Sequence, residues 1–444
     1  MIRIIRDIFL PVRFFIAGAI IILIFIAGYA LPIFVEVGKI SLMVFFAAVI
    51  AEISILFRTK EPITAERITP RLMNLGDENT ISILLKSNCG FNAFVEMVDE
   101  LPEQFQKRNF GYNFRIAPAE SKHFAYTLRP VKRGAYAFGK INFYISTFLG
   151  LVQRRFVINE AENVPVYPSI LQMKNMELKA FSKISMQTGI KKIRRIGHSY
   201  EFEQIKNYVP GDDYRSINWK ATGRKGELMV NQYDDEKSQH VYFLIDKSRS
   251  MGLPFNDLSL LDYSINTTLV MANIALKKSD KAGLISFGAK MESVQKAERT
   301  HKQLQTILEL LYREKEHGGE ANYELLYATI RNIIRVRSLI VLFTNFESTF
   351  AMERALPVLR KISRFHLLVV VIFENSEVKK FASEEAQTIS DIYLTTVAGK
   401  FNAEKEQMIQ QLRLYGIQTI YTTPENLSMN VVNKYLELKS RGMI

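Results

Sequence analysis

One stretch of this 444-residue chain gathers the residue types that chemistry needs. From Glu201 to Arg224 it reads EFEQIKNYVPGDDYRSINWKATGR, setting Glu201, Glu203, Asp212 and Asp213 beside Lys206, Arg215, Lys220 and Arg224. Phe202, Tyr208, Tyr214 and the single tryptophan, Trp219, lie between these charges. Pro210-Gly211-Asp212-Asp213 at the centre is turn chemistry, because proline fixes φ, glycine permits φ > 0 and aspartate bonds its own backbone two residues on. Adjacent carboxylates next to cations are able to do acid/base work. On a turn they more often bond nearby backbone or arginine side chains, and exposed ion pairs there contribute only about 0 to 1 kcal/mol each. The flanks, Glu201 to Tyr208 and Tyr214 to Thr222, fit short strands or a helical turn equally well. Elsewhere, chemistry is conspicuous by its absence: there is no GxxxxGK[ST] loop, no GxGxxG after a strand, no HExxH and no GxSxG. The six histidines, His123, His198, His240, His301, His317 and His366, have no ligand spacing.

The wider run GHSYEFEQIKNYVPGDDYRSINWKATGRKGELMV, Gly197 to Val230, closely resembles the signature of the bacterial family called domain of unknown function 58. It carries that family's Gly-x-x-x-Glu-Phe start, Tyr-x-Pro-Gly-Asp-Asp-x-Arg centre and Ile-Asn-Trp-Lys continuation. The resemblance marks Glu201, Pro210, Gly211, Asp212, Asp213, Arg215, Asn218, Trp219, Lys220 and Arg224 as signature residues for partner binding. The segment Arg129 to Arg155 also resembles the portion that precedes this signature. Further on, Asp246-Lys247-Ser248-Arg249-Ser250 follows the apolar run Val241 to Ile245. It resembles the Asp-x-Ser-x-Ser motif of von Willebrand factor A domains, where the motif forms a metal-ion-dependent adhesion site. A carboxylate and two hydroxyls from one tight loop are hard oxygen ligands suited to Mg²⁺ or another divalent cation, leaving a position for a partner's carboxylate. By the same resemblance Asn345 stands where a second aspartate is common, and Gly318-Gly319-Glu320-Ala321-Asn322 lacks the usual threonine. One negative charge is thereby missing. The competing role for Asp246, Ser248 and Ser250 is to cap the structure that follows and organise its loop.

These residues must be positioned by the elements around them. From His240 to the end, short apolar runs alternate with helical patterns. Strands are expected at Val241 to Ile245, Ala282 to Phe287, Ser338 to Phe343, Leu367 to Phe373 and Ile417 to Tyr421. Helices are expected at Leu258 to Lys278, His301 to Glu314, Tyr323 to Ile334, Met352 to Arg364, Ala403 to Tyr415 and Leu427 to Arg441. Such alternation predicts a doubly wound α/β domain over 238–444 with a parallel sheet, Rossmann-like and von Willebrand A-like, whose ligand crevice lies beyond the carboxyl ends of its strands. Residues 61–167 change to short period-two runs such as Thr80 to Leu85 and Phe124 to Leu128, separated by turn residues, which predicts a β-sandwich. Residues 168–237 form a linker and the signature. The linker's cations Lys191, Lys192, Arg194 and Arg195 have no aromatic stacking platform and read as a solvated face.

The first 60 residues predict a transmembrane hairpin: Phe14 to Val35 holds no charge and Ile40 to Phe57 only Glu52, with VEVGK as the break. A carboxylate there is costly in hydrocarbon and marks a partner helix, an interfacial position or a protonated group. Arg3, Arg6 and Arg13 before the hairpin and Arg58, Lys60, Arg67 and Arg71 after it, against Lys39 between the spans, put both ends in the cytoplasm. The net charge of +13 suits an anionic inner leaflet as well as nucleic acid. A single cysteine, Cys89, excludes an intramolecular disulfide framework.

The sum is an interaction or adaptor protein of the inner membrane with its soluble domains facing the cytoplasm. The family resemblance implies as partners a MoxR-type AAA+ ATPase and other membrane or envelope proteins, and as role the maturation or remodelling of envelope-associated complexes. The alternative is a hydrolase of envelope polymers or phosphoesters, which requires Asp212, Asp213, Arg215 and Lys220 to converge in a deep pocket. A nucleic-acid binder is the third reading.

Overall fold

Pro32 decides where the apolar N-terminus folds back. A proline has no amide hydrogen to donate inside a helix but suits the start of one. In the computed structural model the chain accordingly forms helices α1 (Val12–Ala27) and α2 (Ile33–Leu56), and the turn falls at 28–32, ahead of the expected VEVGK break. Glu36 and Lys39 stay inside α2 because both are exposed and pair one turn apart, 2.8 Å, so neither interrupts the helix. Helix α2 is long and apolar enough to cross a membrane and α1 is a shorter apolar helix. At 1.5 Å per residue they span roughly 36 and 24 Å, against about 30 Å of hydrocarbon.

The structure describes residues 6–108, 110–158, 161–170, 173–174, 201–210, 212–234, 238–316, 318–383 and 388–444. It divides into two units, Met1–Tyr167 and Pro168–Ile444. The signals at Lys191, Lys192, Arg194, Arg195, His198 and His317 lie outside the described residues.

In the first unit the period-two runs become strands β1 (Ile63–Ile68), β2 (Asn79–Ser87), β3 (Ala93–Asp99), β4 (Phe110–Ile116), β5 (Ser121–Leu128), β6 (Gly134–Phe138), β7 (Ile141–Ser146), β8 (Gln153–Ile158) and β9 (Glu162–Tyr167). One sheet has the order β1-β2-β5, and a second runs β8-β7-β3-β4 with Ile8–Phe9 added beside β8. A third pairs β9 with β6 and, in parallel, with Met73–Asn74. Alternation places Ile81, Ile83 and Leu85 inside. Asp99, at the end of β3, joins the first two sheets: it pairs with Arg67 of β1 and accepts the Tyr126 hydroxyl of β5 at 2.5 Å. All three are buried. Burial and the neighbouring carboxylate push the Tyr126 phenol far up, so it remains a donor.

The second unit holds the alternating half. Its sheet comprises β12 (His240–Asp246), β13 (Lys281–Phe287), β14 (Met291–Glu298), β15 (Leu339–Phe343), β16 (Leu367–Phe373) and β17 (Gln418–Thr422), ordered β14-β13-β12-β15-β16-β17. All neighbours are parallel except β14, which runs antiparallel to β13 at the edge, so the expected all-parallel sheet is a mixed one. MESVQKAE alternates with only one residue of its inner face fully buried, as an edge strand does, and lacks the apolar run that reveals a central strand. Helices α4 (Leu260–Lys277), α5 (Gln303–Arg313) and α10 (Leu427–Ser440) pack with Val241, Phe243 and Ile245 of β12 on one face. On the other face α6 (Tyr323–Ile333), α7 (Thr349–Phe365) and α9 (Ile389–Leu414) pack with Tyr242 and Leu244. The short α8 (Ser376–Ala382) and the first half of α9 exceed the helix expected from Ala403.

Replacing Asp99 by alanine leaves the Arg67 guanidinium buried without its counter-charge, which costs about 3–5 kcal/mol. Thermal unfolding of full-length Asp99→Ala should show a first-unit transition lowered by many degrees, and an unchanged transition would remove this pair from the account.

Candidate functional site

The signature stretch folds as a hairpin with an elaborate tip. Strand β10 (Glu201–Asn207) pairs antiparallel with β11 (Met229–Asp234), and between them lie a single turn at Tyr214–Ser216 and helix α3 (Trp219–Lys225). The acidic residues build the turn. Asp212 takes the Lys206 ammonium at 2.9 Å and the Val209 amide at 3.0 Å, while Asp213 accepts the Arg215 amide at 3.0 Å. Asn218 caps α3 through the Ala221 amide, 3.0 Å, and donates to Asn231 at 2.8 Å. Gly226 closes the helix at φ +74°, a conformation that costs glycine little.

What the hairpin turns outward is aromatic and basic. Trp219 is 71% exposed and Tyr214 68%. The Arg215 guanidinium lies over the Tyr214 ring at 5.6 Å, and Pro210, Lys220 and Arg224 are exposed. Glu201 lies on β10, and Gly211 lies outside the described residues. Asp212, Asp213, Arg215 and Lys220 therefore do not share one pocket: the acids bond the turn and the bases face solvent.

The second cluster sits at the carboxyl end of β12. Asp246 is 1% exposed. One oxygen accepts the Ser248 amide at 2.8 Å; the other accepts the Thr344 hydroxyl at 2.7 Å and the Tyr323 hydroxyl at 3.4 Å. Burial pushes the Asp246 carboxyl up against the pull of those hydrogen bonds, and it drives the Tyr323 phenol well up. The Ser248 and Ser250 hydroxyls are 3.0 Å apart, and Asn345 donates to the Ser250 carbonyl at 3.3 Å. The structure thus brings Asp246, Ser248, Ser250 and Asn345 together at one strand end.

Asn345, however, already has a cation. The Lys405 ammonium of α9 donates to its Oδ1 at 3.1 Å and to the Phe346 carbonyl. Lys405 is 4% exposed, and burial pulls it down to about 8. The oxygen ligands left for a divalent ion are therefore Asp246, Ser248 and Ser250, since the Asn345 oxygen is held by Lys405. Among the described residues there is no group of three or more His, Cys, Asp or Glu side chains placed to hold a metal. The loop is braced from its far side by Lys247, 2% exposed, which pairs with Glu314 at 2.7 Å and with Glu292.

Sequence reasoning missed Tyr323, Thr344 and Lys405. Thr344 adjoins Asn345 and Tyr323 adjoins the Gly318 to Asn322 loop, so both lay beside positions already singled out. Lys405 left no signal, since only the packing of α9 brings it to residue 345, 60 positions earlier.

Residues 204–380 match the family described as Protein of unknown function DUF58. The match runs from within β10 to α8 and takes in the turn from Asp212 to Arg224 and Asp246, Ser248, Ser250 and Asn345, but not Glu201 or Lys405. The chain is also 22% identical over 222 residues to the uncharacterized protein YeaD of Bacillus subtilis (strain 168), covering 49% of this chain and 53% of that protein. It thus spans about half the length of the curated relative it matches. Among solved structures, the CARDB domain of a Pyrococcus furiosus protein is 15% identical, with 23% of this chain and 91% of that one covered and a TM-score of 0.17. A PapD-like domain of human CEP192 is 12% identical, with 25% and 92% covered and a TM-score of 0.18.

Because the folded protein releases the Lys405 proton near pH 8 and the unfolded chain only near pH 10.5, the unfolded state binds more protons between those values. Stability should therefore rise with pH across that window, by up to about 3 kcal/mol, and Lys405→Met should lack the rise. Urea unfolding of both proteins from pH 7 to 10 measures this; parallel profiles would contradict it.

Proposed function

We propose that this chain is a membrane-anchored interaction protein of the inner membrane, with its soluble domains in the cytoplasm. It works with a MoxR-type AAA+ ATPase in the maturation or remodelling of envelope-associated complexes. The observation that carries the reading is the outward display of Trp219, Tyr214 and Arg215 on a hairpin whose Asp212 and Asp213 bond its own turn. Tryptophan, tyrosine and arginine are the residues that dominate binding energy at protein interfaces, and they do so when a partner covers them. With Lys220 and Arg224 alongside, the surface suits a partner with an apolar pocket rimmed by acidic groups.

A von Willebrand A-like reading of the second unit is supported by the sheet order β14-β13-β12-β15-β16-β17, with its single antiparallel edge strand, and by Asp246 ending the central strand. On this reading Asp246, Ser248 and Ser250 hold a divalent cation whose remaining position is taken by an acidic residue of the partner. A cation requires Asp246 ionised, and burial opposes ionisation, so partner binding through the metal strengthens as pH rises.

The test is retention of the ATPase on detergent-solubilised full-length protein, with and without EDTA, compared with Trp219→Ala and Asp246→Ala. Loss of an interface anchor of about 2 kcal/mol corresponds to roughly thirtyfold weaker binding for Trp219→Ala. EDTA and Asp246→Ala should weaken binding to a similar degree as each other. Retention indifferent to all three contradicts the proposal; retention sensitive only to Trp219→Ala removes the metal from it.

A further inference from the structure

Glu52, buried near the end of α2, has a complete set of donors in the first unit. Its carboxylate accepts the Thr147 hydroxyl and the amides of Gly150 at 2.8 Å, Leu151 at 2.9 Å and Val152 at 2.9 Å. Its side chain is enclosed, at 1% exposure. Four donors match the lone-pair capacity of a carboxylate, so no partner helix is needed to explain its place. The strand that follows this loop holds the helix end. Arg154 of β8 donates to the carbonyls of Leu56 at 2.7 Å, Thr59 at 2.6 Å and Lys60 at 2.8 Å. A cation on the terminal carbonyls also complements the helix dipole. Helix α2 is thus clasped at two levels by one loop and one arginine.

The loop that clasps Glu52 is apolar where nothing covers it. Between the donors Thr147 and Gly150 stand Phe148 and Leu149, 77% and 54% exposed. Val12, at the start of α1, is 73% exposed and Leu10 before it 44%. Because Glu52 precedes Leu56 by four residues, the clasp sits roughly 6 Å back along the helix axis from its last residue. That depth belongs to the headgroup and acyl boundary, whereas Arg154 and the 57–60 segment mark the polar side.

We propose that Phe148 and Leu149 insert into the lipid bilayer beside α2, so that the β-strand unit sits directly on the membrane surface and is not tethered at a distance from it. The occupant is the bilayer itself, because the exposed apolar tip belongs to the loop that grips the apolar helix α2 at Glu52. This rests on α2 crossing the membrane.

The experiment uses full-length protein in vesicles of phosphatidylcholine and phosphatidylglycerol, with acyl chains brominated near the headgroup or near the bilayer centre. In a Trp219→Phe background, Phe148→Trp provides the reporter at the loop and Phe46→Trp a reporter within α2. Phe148→Trp should emit at short wavelength and lose at least half of its intensity to shallow bromines, with less quenching by deep ones. Phe46→Trp should be quenched most by deep bromines. Adding Glu52→Ala should reduce the quenching at position 148 and leave that at 46 unchanged. Quenching at 46 with none at 148 overturns the proposal while the anchor stands, and quenching at neither position overturns both. Quenching at 148 that Glu52→Ala does not reduce overturns the clasp as its cause.

Discussion

The second unit depends on the carboxylate that ends its central strand. A strand buried on both faces must hand the chain to a turn at a point where water is excluded, and at that point this chain places Asp246. Its oxygens draw in an amide of its own loop and hydroxyls from Thr344, just after β15, and from Tyr323 at the start of α6, tying three segments together. The arrangement is costly, since burial pushes the carboxyl towards its neutral form. A folding role alone would be served more cheaply by an asparagine or serine. Lys405, nearly enclosed, places one ammonium beside the same strand end, while Lys247 is neutralised by Glu314 and Glu292; the carboxyl end of such a strand is where ligands bind in open α/β sheets.

The signature hairpin complements that strand end. Asp212 and Asp213 bond its turn, while Trp219, Tyr214, Arg215, Lys220 and Arg224 are exposed. At the other terminus the same physical theme recurs with the opposite outcome. Glu52, an acid in an apolar helix, is made tolerable by a loop that supplies every hydrogen bond it can accept. That loop gains an exact position from it.

Much of this was legible in the sequence because the signals were local. Apolar runs such as VYFLI mark strands buried on both faces, and β16 at Leu367–Phe373 lies on the residues that its run marks. Where boundaries moved, a specific residue moved them: Pro32 set the helical turn, and Glu36 paired with Lys39 so that neither broke α2. The edge strand β14 was hidden because its alternation is half polar. In the candidate site, residues of one tight loop could be read together, as Asp246, Ser248 and Ser250 were. Lys405 and the Thr147 to Val152 cradle of Glu52 could not, because each depends on packing between segments distant in the chain.

The output claimed for this molecule is contact, and its single tryptophan allows that to be observed at one atom. Full-length protein labelled with fluorotryptophan gives one fluorine signal, from position 219. On addition of the MoxR-type ATPase, the account predicts that this signal shifts and broadens and loses its sensitivity to solvent. A signal that stays sharp, unmoved and solvent-exposed at saturating ATPase would contradict it.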